Sequence, residues 1–305
     1  MTTATTDFSQ PARQGPAFQT VGAARRAKNL AATVLVWLAF VIAVIPLVWV
    51  LITVVGRGLE AVLGPNWWTH SLSGLRPYEE GGGAYHAIFG TIIQGLVTAA
   101  LSVPIGVMVG IYLVEYGRRS RLARVTTFMV DILTGVPSIV AALFVYAVWI
   151  TTFGFDRSAF AVTLALLLLM VPVVIRTTEE MLKIVPDELR EASYALGIPK
   201  WRTITKVVLP TALSGIVTGV MLGLARVMGE TAPALVLVAY APFINFDLFE
   251  GNMGNLPLMM ADQFNNPEPA GFHRTWGAAM TLVLIIMVFN LIAAIFARLA
   301  SVKTK

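Results

Sequence analysis

Residues 186–210 read PDELREASYALGIPKWRTITKVVLP, a charged stretch set between two long uncharged ones. Pro186 followed by Asp187, Glu188 and Glu191 predicts a helix start, because proline fits the first turn and acids favour the positive end of the helix dipole. Gly197 closes that helix as a C-terminal cap, and Pro199 opens a second, Lys200–Val208, with basic residues throughout. Leu189, Ala192, Ser193 and Leu196 recur at i, i+3, i+4 and i+7, giving one small, mostly apolar face. Such a helix, hung between two membrane spans, suits a docking knob for a cytoplasmic protein. It equally suits a helix lying on lipid headgroups, and the pattern alone leaves both open.

That the flanks are spans follows from composition. Of 305 residues, 57% are apolar and 13% charged, against about 45–50% and about 25% in soluble domains. A spanning helix needs about 20 mostly apolar residues, and six segments qualify: roughly 30–55, 88–114, 125–150, 158–175, 210–238 and 277–297. The first is too long for a signal-peptide core and no small-x-small cleavage site follows it, so it reads as an uncleaved anchor. Lysine and arginine fix the orientation. Seventeen lie on one side: Arg13, Arg25, Arg26 and Lys28; Arg118, Arg119, Arg121 and Arg124; Arg176, Lys183, Arg190, Lys200, Arg202 and Lys206; and Arg298, Lys303 and Lys305. Only Arg57, Arg76, Arg157 and Arg274 lie on the other, with Arg226 alone inside a span. Both termini are therefore expected in the cytoplasm, and the net charge of +5 needs no nucleic acid to explain it.

The expected organisation is a cytoplasmic tail with the first span (1–56), an outer loop (57–83), a membrane domain (84–298) carrying the charged loop 176–209, and a short cytoplasmic tail (299–305). In the first outer loop, Trp67 and Trp68 suit the headgroup region, and Gly81, Gly82 and Gly83 mark a turn. His70, His86 and His273 all fall in outer loops, so no histidine cluster is expected within the membrane, and the absence of cysteine removes thiolate chemistry.

Two charges stand out in the fifth span. Arg226 and Glu230 are spaced i, i+4, so they share a helix face and can pair. A charge at bilayer depth costs roughly 2.5–3.5 kcal/mol on insertion scales. The plain reading is an internal ion pair that helps pack the bundle. The functional one is an arginine whose planar donors suit an oxyanion, beside a carboxylate that keeps the anion from being trapped. Arg176 ends the fourth span and reads mostly as an arginine snorkelling to the interface. Asp131 lies inside the third span, near Gly135-Val136-Pro137-Ser138, as a capping or packing residue or part of a path. Pro104, Gly106 and Gly110 mark a kink or close helix contacts, and Pro233 predicts a break near the outer end of the fifth span.

Resemblance sharpens this picture. Glu191-Ala192-Ser193-x3-Gly197-x9-Val207-x-Leu209-Pro210 closely resembles the EAA signature, E-A-A-x3-G-x9-I-x-L-P, of the permease subunits of type I bacterial ABC importers; Ser193 and Val207 are mild departures. The resemblance implies an all-α membrane fold of six transmembrane helices, a MetI-like core of five plus an N-terminal helix. It implies that the loop is a coupling helix seated in a cleft of a separate ATPase subunit, with Glu191, Ala192, Leu196 and Gly197 at the contact. The chain has no G-x4-G-K-[ST] loop of its own, so ATP and Mg are expected on the partner ATPase and no cofactor on this chain.

Further motifs narrow the family. Gly83-x3-Ala87-Ile88-x-Gly90-Thr91, Pro104-Ile105-Gly106, Ile111-Tyr112-Leu113-x-Glu115-Tyr116, Gly135-Val136-Pro137-Ser138-Ile139-Val140, Arg176-Thr177-Thr178-Glu179-Glu180 and Arg226-x2-Gly229-Glu230-Thr231-Ala232-Pro233 look like those of phosphate-specific permeases. That resemblance implies phosphate passage involving Arg176, Arg226 and Glu230. It also implies three kinds of partner: a homologous permease, an ATPase dimer and an extracytoplasmic phosphate-binding protein. Other readings stay open from the residues alone. They are a permease for sulfate, molybdate or a polyamine, a membrane-embedded enzyme, and a scaffold or receptor without transport.

Overall fold

The computed structural model describes residues 22–117 and 120–300, with the side chains of 299 and 300 left aside. Arg13, Arg118, Arg119, Lys303 and Lys305, counted above for orientation, lie outside the described residues, as does most of the short tail 299–305. All described regular structure is helical: α1 (Ala23–Leu63), α2 (Tyr85–Ile111), α3 (Arg121–Thr134), α4 (Ser138–Val145), α5 (Ala159–Ile184), α6 (Asp187–Ala195), α7 (Lys200–Thr203), α8 (Leu209–Met228), α9 (Ala232–Leu237), α10 (Leu256–Phe264) and α11 (Pro269–Ala300). Single π-helical turns extend α2 over Tyr112–Tyr116, extend α4 over Tyr146–Thr152, and join α7 to α8 over Ile204–Val208. Among the described residues, five continuous helices are long and apolar enough to cross a membrane, and six passages are counted when the bent pair α3–α4 is taken as one.

The chain divides into two units, 1–52 and 53–305. The first, as described, is the leading part of α1, whose apolar side chains are exposed almost throughout. The rest belongs to the second unit.

In lipid there is little hydrophobic drive between helices, so small residues that admit close backbone approach do much of the packing. A Cβ on Gly106 or Gly110 of α2 would fall 2.6 or 2.7 Å from Val174 or Thr178 of α5. Both sequence numbers rise together along this contact, so α2 and α5 run parallel. Gly215 and Gly223 of α8 face Met181 and Val173 of α5, and Gly219 faces Thr177. Here the numbers run oppositely, so α5 and α8 are antiparallel. A main core of α2, α5, α9, α10 and α11 side chains includes Met170, Leu237, Leu256 and Met259, and a smaller one gathers Val114, Leu182, Val208 and Ile216 at the end that carries α6.

The structure departs from the expected spans in three places. The third passage is not one helix: α3 and α4 meet at 106°. Gly135 ends α3, and Pro137 lacks an N–H and forces its predecessor out of the helical region, so the ladder cannot continue. The first span runs to Leu63, beyond the Gly56-Arg57-Gly58 where the outer loop was expected to begin. Gly58 lies against the Trp276 backbone and Met280, and the Arg57 guanidinium stacks on Phe272 and Trp276 at 5.2 and 5.4 Å, so the helix is held there. The second loop helix is not separate either. From Lys200 to Met228 the chain stays helical, Pro210 being tolerated because the π-helical turn precedes it.

The segments read above as outer loops are more buried than their composition suggests. Trp67 is only 4% exposed and donates to Thr281 Oγ1 at 2.8 Å, while Trp68 remains partly exposed. His86 and His273 lie in the opening turns of α2 and α11 rather than in loops. Gly81 and Gly82 take φ of +95° and +78°, the turn the glycine run implied. Arg274 is buried and donates to the carbonyls of Glu79 and Gly81, tying this loop to α11.

Candidate translocation and coupling sites

Arg226 sits in the last turn of α8, and Glu230 lies beyond the helix, in the three-residue break before α9. The break occurs where Pro233 led one to expect it. The two side chains are at the ion-pair limit, Nε to Oε1 4.0 Å, with Arg226 61% exposed and Glu230 20%. They are thus neighbours across a helix end, not partners on one helix face. Glu230 also lines a cavity of about 10 Å³ with Thr91, Gln94 and Asn255, room for about one water. Asn255 Nδ2 donates to Gln94 Oε1, and the buried Gln94 Nε2 has no hydrogen-bond partner in the protein. Sequence reading missed Gln94, a lone amide in an apolar run, and Asn255, one of several asparagines in a loop, since neither carries a spacing signal.

Arg176 does not end its helix; eight residues of α5, Glu179, Glu180 and Lys183 among them, follow it over about 12 Å. It is not a snorkelling side chain either. One guanidinium nitrogen meets Asp131 Oδ1 of α3, and Nη1 meets Glu179 Oε2 at 2.7 Å. Lys183 holds the other Glu179 oxygen at 2.7 Å. The α5–α8 register sets Arg176 level with Val220, so Arg226 stands about 9 Å further along the axis. The two arginines are therefore not brought together. They occupy successive depths.

At the other end, α6 carries the face expected to dock a partner. Pro186 precedes it and Asp187 and Glu188 fill its first turn. Gly197 has φ +70°, its N–H donates to Tyr194 O at 2.9 Å, and Ile198 N–H donates to Ser193 O at 3.2 Å, the paired bonds of a Schellman cap. Leu189, Glu191, Ala192, Leu196 and Gly197 are exposed, Leu196 by 78%. Ser193, expected on the same face, turns inward to Thr203 Oγ1 at 2.8 Å, so the apolar face is narrower than the spacing implied.

What seats this loop was not legible beforehand. Arg190 is buried and donates from Nε and Nη2 to Glu115 Oε1, from Nη1 to Val185 O and Asp187 Oδ1, and from Nη2 to Leu182 O. Lys200 Nζ reaches Glu115 O. The one clue was Glu115 itself, an acid at the end of an apolar run.

Comparison with known proteins fits this arrangement. The family model described as "Binding-protein-dependent transport system inner membrane component" matches residues 102–304. Two solved permease folds are similar: an inward-facing MetNI methionine ABC transporter (TM-score 0.57, 19% identity, 72% of this chain and 94% of that one) and a bacterial ABC transporter for alginate import (TM-score 0.57, 13% identity, 92% and 100%). The fold is thus that of an ABC importer permease, a multi-pass membrane transport component working in a complex with other subunits. The phosphate transport system permease protein PstA 1 of Mycobacterium tuberculosis (strain CDC 1551 / Oshkosh) is 59% identical over 270 residues, 88% of either chain. The PstA of Mycobacterium leprae is 58% identical over 277 residues (91% of either chain), and that of Yersinia pestis 40% over 275 (90% of this chain, 92% of the other). The chain belongs to the binding-protein-dependent inner membrane component family and, within it, to the PstA permeases.

Proposed function

We propose that this chain is the permease subunit of an ATP-driven inorganic phosphate importer, lining half of the translocation path and coupling it to a separate ATPase. The observation that carries the reading is identity near 60% along most of the chain to permeases named for phosphate transport, joined to two arginines at successive depths of the membrane domain. Arg226 and Asp131 are more than half exposed in this chain. Such groups are too costly to present to lipid tails, so that face suits a polar path shared with another subunit. Relatives named for phosphate favour that anion over sulfate or molybdate.

In this reading Arg226, Glu230 and Arg176 are the substrate-path residues, and Arg226 offers its donors to a phosphate oxygen while Glu230 limits how long the anion stays. The partners are a homologous PstC-like permease, a PstB-like ATPase dimer and a PstS-like extracytoplasmic phosphate-binding protein. ATP and Mg belong to the ATPase, and this chain supplies path and coupling through Glu191, Ala192, Leu196 and Gly197. The excess of basic residues in the terminal and loop segments supports both termini being cytoplasmic.

Labelled-phosphate uptake in cells lacking the chain tests this. Rescue by wild type and not by Arg226→Gln, with the complex assembled and excess sulfate without effect, is expected. Failure of wild type to rescue, with the other subunits present, would remove phosphate as the cargo.

A further inference from the structure

Four charged groups meet where α3 crosses α5: Asp131, Arg176, Glu179 and Lys183. Two cations and two anions cancel, so the cluster as it stands offers an incoming anion no net attraction. Its members are not equally fixed. Glu179 is 10% exposed at its side chain, shares a helix with both its cations at i+3 and i+4 spacing, and holds one with each oxygen. Asp131 is 58% exposed, comes from a different helix, and touches the cluster through one oxygen on one guanidinium nitrogen. It also stands four residues before Gly135, where the passage bends by 106°.

We propose that Asp131 is a tethered competitor for the translocated anion: its carboxylate occupies the edge of Arg176 that a phosphate must take, yields to it, and returns to expel it. This rests on the reading of Arg176 as part of the path. A guanidinium binds an oxyanion best by two parallel N–H donors. With Nη1 held by Glu179, the nitrogen that Asp131 occupies is the exchangeable part of the fork. Asp131 is thus a positioning residue acting through Arg176. While the anion is bound, the displaced carboxylate stays within reach, and its return supplies the charge that releases the anion. Without it, the cluster would carry a net positive charge at membrane depth, and an anion reaching it would be slow to leave.

The test uses the full complex with its partner subunits, in detergent for equilibrium binding of labelled phosphate without the binding protein, and in liposomes for uptake with it. Asp131→Asn keeps shape and removes charge. About tenfold tighter phosphate binding is expected, with a lower uptake KM and a maximal rate reduced several-fold; Asp131→Glu restores all three toward wild type. A residue that only packed α3 against α5 would not tighten binding when changed. Should Asp131→Asn reduce the yield of complex, Asp131→Ser, normalised to assembled complex, makes the same comparison. Unchanged or weaker binding in the neutral variants, while Arg176→Gln abolishes uptake, overturns this proposal alone. Normal uptake by assembled Arg176→Gln complex overturns the underlying path reading and the proposal together.

Discussion

Arg190 holds a single oxygen of Glu115, 75 residues earlier in the chain, with both Nε and Nη2, at 3.1 and 2.9 Å, and both side chains are less than a tenth exposed. The guanidinium also satisfies two backbone carbonyls at the end of α5. Helix α6 is therefore locked to the ends of α2 and α5 by one fully engaged cation, and its exposed face is held at a fixed angle.

Replacing Arg190 by Ala strands the Glu115 carboxylate in a closed site. Breaking a buried pair in this way costs about 3–5 kcal/mol, so thermal unfolding of the purified complex should shift downward clearly. Adding Glu115→Gln should recover part of the loss, and a strictly additive double variant would show that the two groups do not interact.

Gly197 has no neighbour within 4 Å of where a Cβ would stand, so space is not its reason for being glycine. Its φ of +70° is, and an L residue there costs roughly 1–2 kcal/mol. Gly197→Val should leave the membrane domain folded but disturb the α6 cap. Co-purification of the ATPase should fall while the permease pair stays intact; full ATPase retention and uptake would count against α6 as the coupling element.

Gly106 and Gly56 make a contrasting pair. A methyl on Gly106 would overlap Val174 at 2.6 Å, whereas Gly56 has open space. Gly106→Ala should destabilise by about 1–3 kcal/mol, and Gly56→Ala should be neutral or slightly stabilising because alanine favours the helix. Melting curves of both variants decide this, and equal shifts would mean that α2 and α5 are not so closely packed.

Tyr240 is half-buried, and its hydroxyl lies 3.0 Å from His86 Nε2. Burial, helped by the negative charge of Asp262, pushes its phenol above the usual tyrosine range. The folded state thus keeps a proton that the unfolded state loses above about pH 10, so stability should fall as pH rises past that point. Tyr240→Phe should flatten part of the alkaline fall in melting temperature; an identical alkaline profile would exclude Tyr240 as a contributor.

Much of the architecture was readable because membrane spans and the loop signature are local patterns. Pro186, Gly197 and Pro199 bound the loop helices through chain geometry alone, and Pro233 marked the break after α8. The bend at Gly135-Val136-Pro137 stood equally open in the residues, yet the apolar run around it outweighed it. What no local pattern carried was pairing between distant segments. Asp131 with Arg176 and Glu115 with Arg190 are each an acid and a base from different helices, and spacing along one helix says nothing of them. Trp67 and Arg274 follow the same rule: Trp67 is buried by a bond to Thr281 of α11, and Arg274, on α11 itself, by the carbonyls of Glu79 and Gly81, contacts between segments 193 to 214 residues apart.

The uninterrupted run from α7 into α8 has a mechanical consequence. From the π-helical turn ending at Val208, α8 extends rigidly to Arg226, seventeen residues past Leu209 or about 25 Å. A rod of that length pivoting by about 8° at its base sweeps its far end through about 3.5 Å. Were the α6 end to rock in this way, the far end of α8 would move by nearly the 4.0 Å that separates Arg226 from Glu230, so a push at one end of the membrane domain would be felt, enlarged, at the break before α9.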